Sequence, residues 1–187
     1  MCVASDTTLR RLIQEGEIGV EPLEDWQIQP SSIDLTLGKG IKSPTYGLST
    51  ILDPMRPRQH NMADIPFTAY HTELILPPGA FVLGHTAEEM WLNGNWMAEV
   101  EGKSSLGRLG LMIHITAGII DPGWRGQITL EIVNINEKAS IVLRPGMPIA
   151  QLKFVRMTEP VTRLYGADGL RSKYQNSAGV VESMGVS

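Results

Sequence analysis

Residues 101–134, EGKSSLGRLGLMIHITAGIIDPGWRGQITLEIVN, bring basic, hydroxyl and acidic side chains into one compact set of strands and turns. The segment opens with Glu101-Gly102-Lys103-Ser104-Ser105-Leu106-Gly107-Arg108. Two cations there flank two hydroxyls, and the glycines let the backbone approach a ligand closely. That composition suits a phosphate. An apolar run over residues 109–120, broken by Thr116-Ala117-Gly118, leads into Asp121-Pro122-Gly123-Trp124-Arg125-Gly126, a turn by its Asp, Pro and Gly content. Residues 127–134 then alternate as a half-buried strand should, with Ile128, Leu130 and Ile132 on one face. Thr129 and Glu131 therefore share the other face.

Taken singly, these features are ordinary. A Ser-Ser-x-Gly-Arg turn is more often a solvated loop than a phosphate cradle, and it is not the P-loop pattern, which needs Gly-Lys-Ser/Thr entering a helix after a strand. A lone glutamate on the outer face of a strand is usually just solvated. Their co-occurrence with Asp121 and Trp124 in one segment raises both the phosphate cradle and the glutamate as candidates for function.

Working outward, residues 5–16 read as a short helix: Ser5 or Asp6 can cap it, Leu9, Leu12 and Ile13 form an apolar stripe, and Gly16 can end it. Residues 21–30 read as a polar connector. Residues 31–37 alternate as a strand with Ile33, Leu35 and Leu37 inward, which leaves Asp34 to anchor a neighbouring loop or to act in chemistry. Residues 39–70 carry Pro44, Pro54, Pro57 and Pro66 with little periodicity and predict an irregular surface excursion. Residues 74–84 and 141–154 each read as strand, turn, strand, with Pro-Gly favouring a type II turn and the shared Leu-x-Pro-Gly phrasing acting as hairpin punctuation. Many short strands, one or two short helices and closely spaced turns predict an all-β barrel or sandwich.

The chain has 187 residues, 42% of them hydrophobic, which suits one domain over 1–187 with an ordinary core. Its net charge of −4 argues against a general nucleic-acid binder. No stretch approaches the ~18 apolar residues of a membrane span. The start lacks the basic-then-apolar order of a signal peptide, so a soluble, cytoplasmic protein is expected. The one cysteine, Cys2, excludes an intramolecular disulfide. It also excludes the His-x-Glu and Pro-Cys-x-x-Cys set that holds zinc in the metal-dependent nucleobase deaminases. The histidines, His60, His71, His85 and His114, are too scattered to suggest a replacement. From about residue 166 the chain is rich in Gly, Ser and Ala and predicts a mobile tail.

The runs EGKSSLGRLGL, TAGIIDPGW, GQITLE and PGMPIAQL, with QPSSIDLTLG upstream and Tyr165 and Lys173-Tyr174-Gln175 downstream, resemble the dCTP deaminase family of the trimeric dUTPase superfamily. The resemblance implies a distorted jelly roll assembled as a homotrimer with active sites shared between subunits. It implies zinc-independent deamination of dCTP to dUTP and ammonia, with Glu131 as the base acting on water. Ser104 and Arg108 would orient that water and stabilise developing charge, and the Ala117 backbone would help hold it. Asp121 would bind the 3′-hydroxyl and Trp124 would pack on the sugar. Lys103, Ser104, Ser105, Leu106, Gly107 and Arg108 would contact phosphate, Thr129, Leu130, Glu131 and Gln151 the base or its surroundings, and Tyr165 and Lys173 the nucleotide from a closing tail. Magnesium would arrive with the triphosphate, and dTTP would act as a feedback inhibitor.

Within this family, members that continue to dUMP and pyrophosphate carry Ala-Gly and an aromatic residue before Ile-Asp. Here Ala117-Gly118-Ile119-Ile120-Asp121 agrees at Gly118 and departs at Ile119, which leans toward the dUMP-forming type. The small glycine could leave room for a second water near the α-phosphate. A second departure is Ser177, which stands where the family usually has a nucleotide-binding glutamine. Two alternatives stay open on the sequence: a plain dUTPase, which has no need of the Ser104, Arg108 and Glu131 combination, and a non-catalytic deoxynucleotide-binding regulatory protein.

Overall fold

A computed structural model describes residues 2–48, 50–55, 62–65, 67 and 72–186. The chain begins with α1 (Asp6–Gln14), β1 (Ile18–Glu21), β2 (Ile28–Gln29), β3 (Ser32–Thr36), β4 (Lys42–Pro44) and β5 (Met62–Asp64). It continues through β6 (Leu74–Leu76), β7 (Phe81–Leu92), β8 (Trp96–Gly102), α2 (Ser104–Gly107), β9 (Leu111–Met112) and β10 (Ile119–Ile120). The last strands are β11 (Arg125–Asn134), β12 (Ile141–Leu143) and β13 (Pro148–Arg156).

Helix α1 forms where its capping and periodicity predict. The Ser5 hydroxyl accepts from the Thr8 amide, Leu9 and Leu12 are fully buried, and Gly16 leaves the helix at φ +71°. Everything else is built on strands. One antiparallel sheet runs β10-β8-β13-β3-β2, and a second runs β5-β4-β7-β11-β9 with β1 added on β7. Their alternating inner faces meet in a common core that includes Ile33, Leu35, Leu130, Ile132, Leu152 and Phe154. The alternation of β11 is as the sequence predicts, with Ile128, Leu130 and Ile132 buried and Thr129 and Glu131 half-buried on the outer face.

Two expectations are corrected. Residues 39–70 are not wholly irregular: β4 and β5 pair with each other in the register Lys42↔Asp64, and β4 continues onto β7. Of the prolines that marked this excursion, Pro57 and Pro66 lie outside the described residues. The Leu-x-Pro-Gly turns are corners rather than hairpins. Gly79 and Gly146 adopt the positive φ that such a turn needs. Yet β7 and β13 leave their turns for the two large sheets, while β6 and β12 pair with each other in a separate ribbon. The local turn chemistry is right, but partner choice is a long-range matter.

A bulge in the β7–β11 ladder positions the site. The register jumps from Gln127↔Glu89 to Thr129↔His85, and side chains close the gap: Thr86 Oγ1 accepts from the Ile128 amide and Gln127 Nε2 donates to the Ala87 carbonyl. Strand β9 covers β11 only at Val133 and Asn134, so the first half of β11 presents a free edge on the side away from β7. The C-terminal segment takes that edge. The Asn176 amide donates to the Arg125 carbonyl, the Gln127 amide donates to the Ser177 carbonyl, and Gly126 and Ser177 form a parallel bridge.

Candidate active site

A cavity of about 610 Å³ opens over the outer face of β11. Thr129 and Glu131 project into it because alternation turns them from the core, and Phe81 and Leu83 of β7 line it beside them. Ala117, Ile119, Ile120 and Asp121 line another wall, and Trp124 and Tyr165 close the end nearest the 121–126 turn. Of the residues expected at the nucleotide, the structure therefore brings together Ala117, Ile119, Asp121, Trp124, Thr129, Glu131 and Tyr165. Leu130 is on the same strand but points fully into the core, so its contribution to such a site is restricted to its backbone.

The Glu131 carboxylate receives the Ile115 amide on Oε2 at 3.1 Å, which ties the 113–118 loop to the strand. Its Oε1 has no hydrogen-bond partner among the described residues. One oxygen is thus held in place, and the residue lines a cavity with largely apolar walls. Trp124 is buried, and its indole N–H donates to the Tyr174 carbonyl. Asp121 is exposed and lines both this cavity and a smaller neighbouring one of about 410 Å³.

Gly118 does not provide the expected room for a second water. A Cβ there would lie 2.9 Å from the Val100 carbonyl oxygen, and the Gly118 carbonyl accepts from the Val100 amide. Glycine stands at this position because β8 approaches it closely, and the space is filled by backbone.

The other expected residues form a second constellation, outside the cavity. Lys103 leads into α2, so that Ser104, Ser105, Leu106 and Gly107 make one short helical turn with Arg108 at its end. Ser104, Ser105 and Arg108 are exposed, and the Arg108 guanidinium has no partner among the described residues. The Lys103 ammonium is 2.6 Å from Asp34 Oδ2 on β3, and Gln151 Nε2 on β13 lies 3.2 Å from Asp34 Oδ1. Within one chain, then, Ser104 and Arg108 are not in the pocket that holds Glu131.

The tail lies over the cavity. The Val181 amide donates to Thr129 Oγ1, the Gly179 amide donates to Gln127 Oε1, and Lys42 forms a 2.7 Å ion pair with Glu182. Lys173 lines the smaller cavity beside Arg163 and Arg171, and its ammonium donates to the Gly185 carbonyl. Ser177 lines the main cavity, with its hydroxyl turned back to the Tyr174 carbonyl. Gln127 and Tyr174 also line the cavity and were missed. The alternation that singles out Thr129 and Glu131 puts Gln127 on the same face, so its position was readable, whereas nothing local placed Tyr174 there.

Among the described residues, no group of three or more His, Cys, Asp and Glu side chains is placed to hold a metal ion, and no helix is long and apolar enough to cross a membrane. His60 and His71 lie outside the described residues.

Residues 3–157 match the model of a family described as dCTP deaminase-like. The chain is 41% identical over 180 residues to a dCTP deaminase of Natronomonas pharaonis, covering 95% of this chain and 91% of that protein. It is 42% identical over 179 residues to a dUMP-forming dCTP deaminase of Mycobacterium marinum, covering 96% and 93%. A dUMP-forming dCTP deaminase of Coprothermobacter proteolyticus is 43% identical over 181 residues, covering 95% and 92%. Among solved structures, the 2′-deoxycytidine 5′-triphosphate deaminase of Agrobacterium tumefaciens superposes with a TM-score of 0.63 at 23% identity, covering 81% of this chain and 46% of that one. That likeness is one of fold.

Proposed function

Because the chain belongs to the dCTP deaminase-like family, we propose that it hydrolyses the 4-amino group of dCTP, giving dUTP and ammonia, and carries the product on to dUMP and pyrophosphate. The observation that carries the reading is the Glu131 carboxylate, which lines the cavity and is held through Oε2 by the Ile115 amide. Water is a weak nucleophile near neutral pH and needs a positioned base. Glu131 takes one proton from water as its oxygen bonds to C4 and gives it to N3, then takes the remaining hydroxyl proton from the C4 adduct and gives it to the departing amine. The C4–N4 bond breaks and ammonia leaves, so protons and charge balance without a redox partner.

Asp121 takes the 3′-hydroxyl, Trp124 packs against the deoxyribose, and Ala117 holds the water through its backbone. Thr129 and the backbone of 129–131 read the base. Ser104 and Arg108 complete this centre from a neighbouring copy of the chain in a homotrimer, together with Lys103, Ser105, Leu106, Gly107 and Gln151. Two observations support that arrangement: the Lys103–Arg108 turn lies outside the cavity of its own chain, and Arg108 is unpaired among the described residues. Tyr165 and Lys173 act from the tail.

Magnesium belongs to the substrate, bound as the metal–triphosphate complex. dTTP, which has the same sugar and phosphates but no 4-amino group, acts as a feedback inhibitor in the cytoplasm. The dUMP-forming step is supported by relatives named for it, not by free space at Gly118.

The test is incubation of the purified protein with dCTP and magnesium, resolving dCTP, dUTP, dUMP and pyrophosphate by anion-exchange chromatography over time. The expected result is dUMP and pyrophosphate. Accumulation of dUTP alone would remove the second step, and intact dCTP beside cleavage of added dUTP would make the protein a dUTPase.

A further inference from the structure

Asp34 is a buried carboxylate that the deamination chemistry leaves unused. It is 6% exposed, and its two oxygens are divided between two partners: Oδ2 meets Lys103 Nζ at 2.6 Å, and Oδ1 meets Gln151 Nε2 at 3.2 Å. The strand pairing sets this up, because Gln151 is the direct neighbour of Asp34 on β3 and of Glu101 on β8, just before the turn. An ionised carboxylate only accepts, so the Gln151 amide turns its NH₂ toward Asp34, with Ser32 Oγ 3.5 Å from the same nitrogen. A lysine ammonium has three donors, and one contact with Asp34 leaves the others free. The Lys103 side chain is 24% exposed, enough for its head to meet a ligand from outside.

Desolvating a carboxylate and an ammonium offsets much of what their attraction returns, so such a pair is a weak source of stability. What it does supply is a fixed position for a cation and a fixed orientation for an amide. We propose that Asp34 is a positioning residue for nucleotide binding. It holds Lys103 so that the turn offers a preset cation to the polyphosphate of a nucleotide seated in a neighbouring copy's cavity, and its second oxygen keeps the Gln151 amide in one orientation beside it. This rests on the deaminase reading only for the identity of that nucleotide.

The Asp34→Asn variant keeps the shape and removes the charge, and it turns an NH₂ toward one of the two donors. Its KM for dCTP rises about tenfold while kcat stays within about twofold, as expected when a charge-assisted contact that fixes a binding group is lost. Its affinity for inorganic pyrophosphate, measured by calorimetry on the same folded protein, falls by a similar factor. The double variant D34N/K103M, which removes both charges together and keeps the measurement available if the single change does not fold, loses no more affinity than the weaker-binding single variant. Unchanged KM and pyrophosphate affinity in folded D34N, a loss confined to kcat, or wild-type affinity in the double variant would each overturn the proposal. Wild-type protein that binds pyrophosphate through Asp34 but leaves dCTP intact would sink the deaminase reading and keep this one. Turnover of dCTP with Asp34-independent affinity does the reverse.

Discussion

Glu131 carries two duties that a single substitution separates. In Glu131→Gln the amide oxygen can still accept from Ile115, so the 113–118 loop keeps its tether, but no group remains to take the proton from water. Deamination is expected to fall by at least ~10³-fold, within the range for loss of a positioned base, while dCTP binding by calorimetry stays measurable. Turnover within tenfold of wild type would remove Glu131 from its role. His85 illustrates a different residue-scale effect. Its Nδ1 donates to the Thr86 carbonyl and its Nε2 accepts from the Gly40 amide, with Gly38 packed on the ring. Burial holds its pKa below the ordinary 6.5. The unfolded chain therefore takes up a proton as pH falls through 6.5 before the folded protein does. Stability is fully present above that value and is lost progressively as pH drops toward the lower folded pKa. The melting temperature should fall between pH 7.5 and 5.5, and His85→Gln should flatten that dependence; an equal slope in both proteins would rule His85 out as its source.

At the scale of elements, β11 decides the most. Its outer face supplies Gln127, Thr129 and Glu131, its inner face supplies core, and its free edge takes the tail. Docking needs Gly126, whose φ is +149° and whose Cβ, if present, would lie 2.7 Å from the Ser177 nitrogen. Gly126→Val should undock residues 174–182, raise KM for dCTP about tenfold through loss of several backbone and side-chain contacts, and open the tail to limited proteolysis. A variant with wild-type KM and wild-type protection would show that this edge pairing is not used in binding. The tail also marks how far local reading reaches. Its Gly, Ser and Ala content pointed to mobility, because composition carries no information about an unpaired strand edge elsewhere in the chain.

For the whole molecule, the telling fact is that one chain does not bring Ser104 and Arg108 into the cavity of its Glu131. Leu109, Met112, Ile115, Ile119 and Ile135 are also exposed around that region, although the sequence marks residues 109–120 as an apolar run. Both facts fit an assembly in which another copy covers this side. Glu131→Gln and Arg108→Ala proteins should each be inactive alone. When unfolded together and refolded as mixed oligomers, they should recover a fraction of wild-type activity, since some centres then draw an intact Glu131 and an intact Arg108 from different chains. No recovery in oligomers shown by native mass spectrometry to be mixed would place both groups of a centre in one chain. A monomer in solution would remove the shared-site arrangement altogether.

Periodicity alone determined which face of each strand is buried: Ile33, Leu35 and Leu37, or Ile128, Leu130 and Ile132, follow from a two-residue repeat that any solvent-exposed sheet must obey. Turn chemistry determined the corners at Gly79 and Gly146, and capping determined α1, because each depends on neighbours in the chain. The motif pattern determined the family. Only the tertiary structure decided that β6 pairs with β12, that Lys103 is held by Asp34, that backbone fills the space beside Gly118, and that the expected site divides into two constellations. Each of these joins residues far apart in sequence. Such pairings follow from the competition among all strand edges and buried charges at once, which no local repeat records.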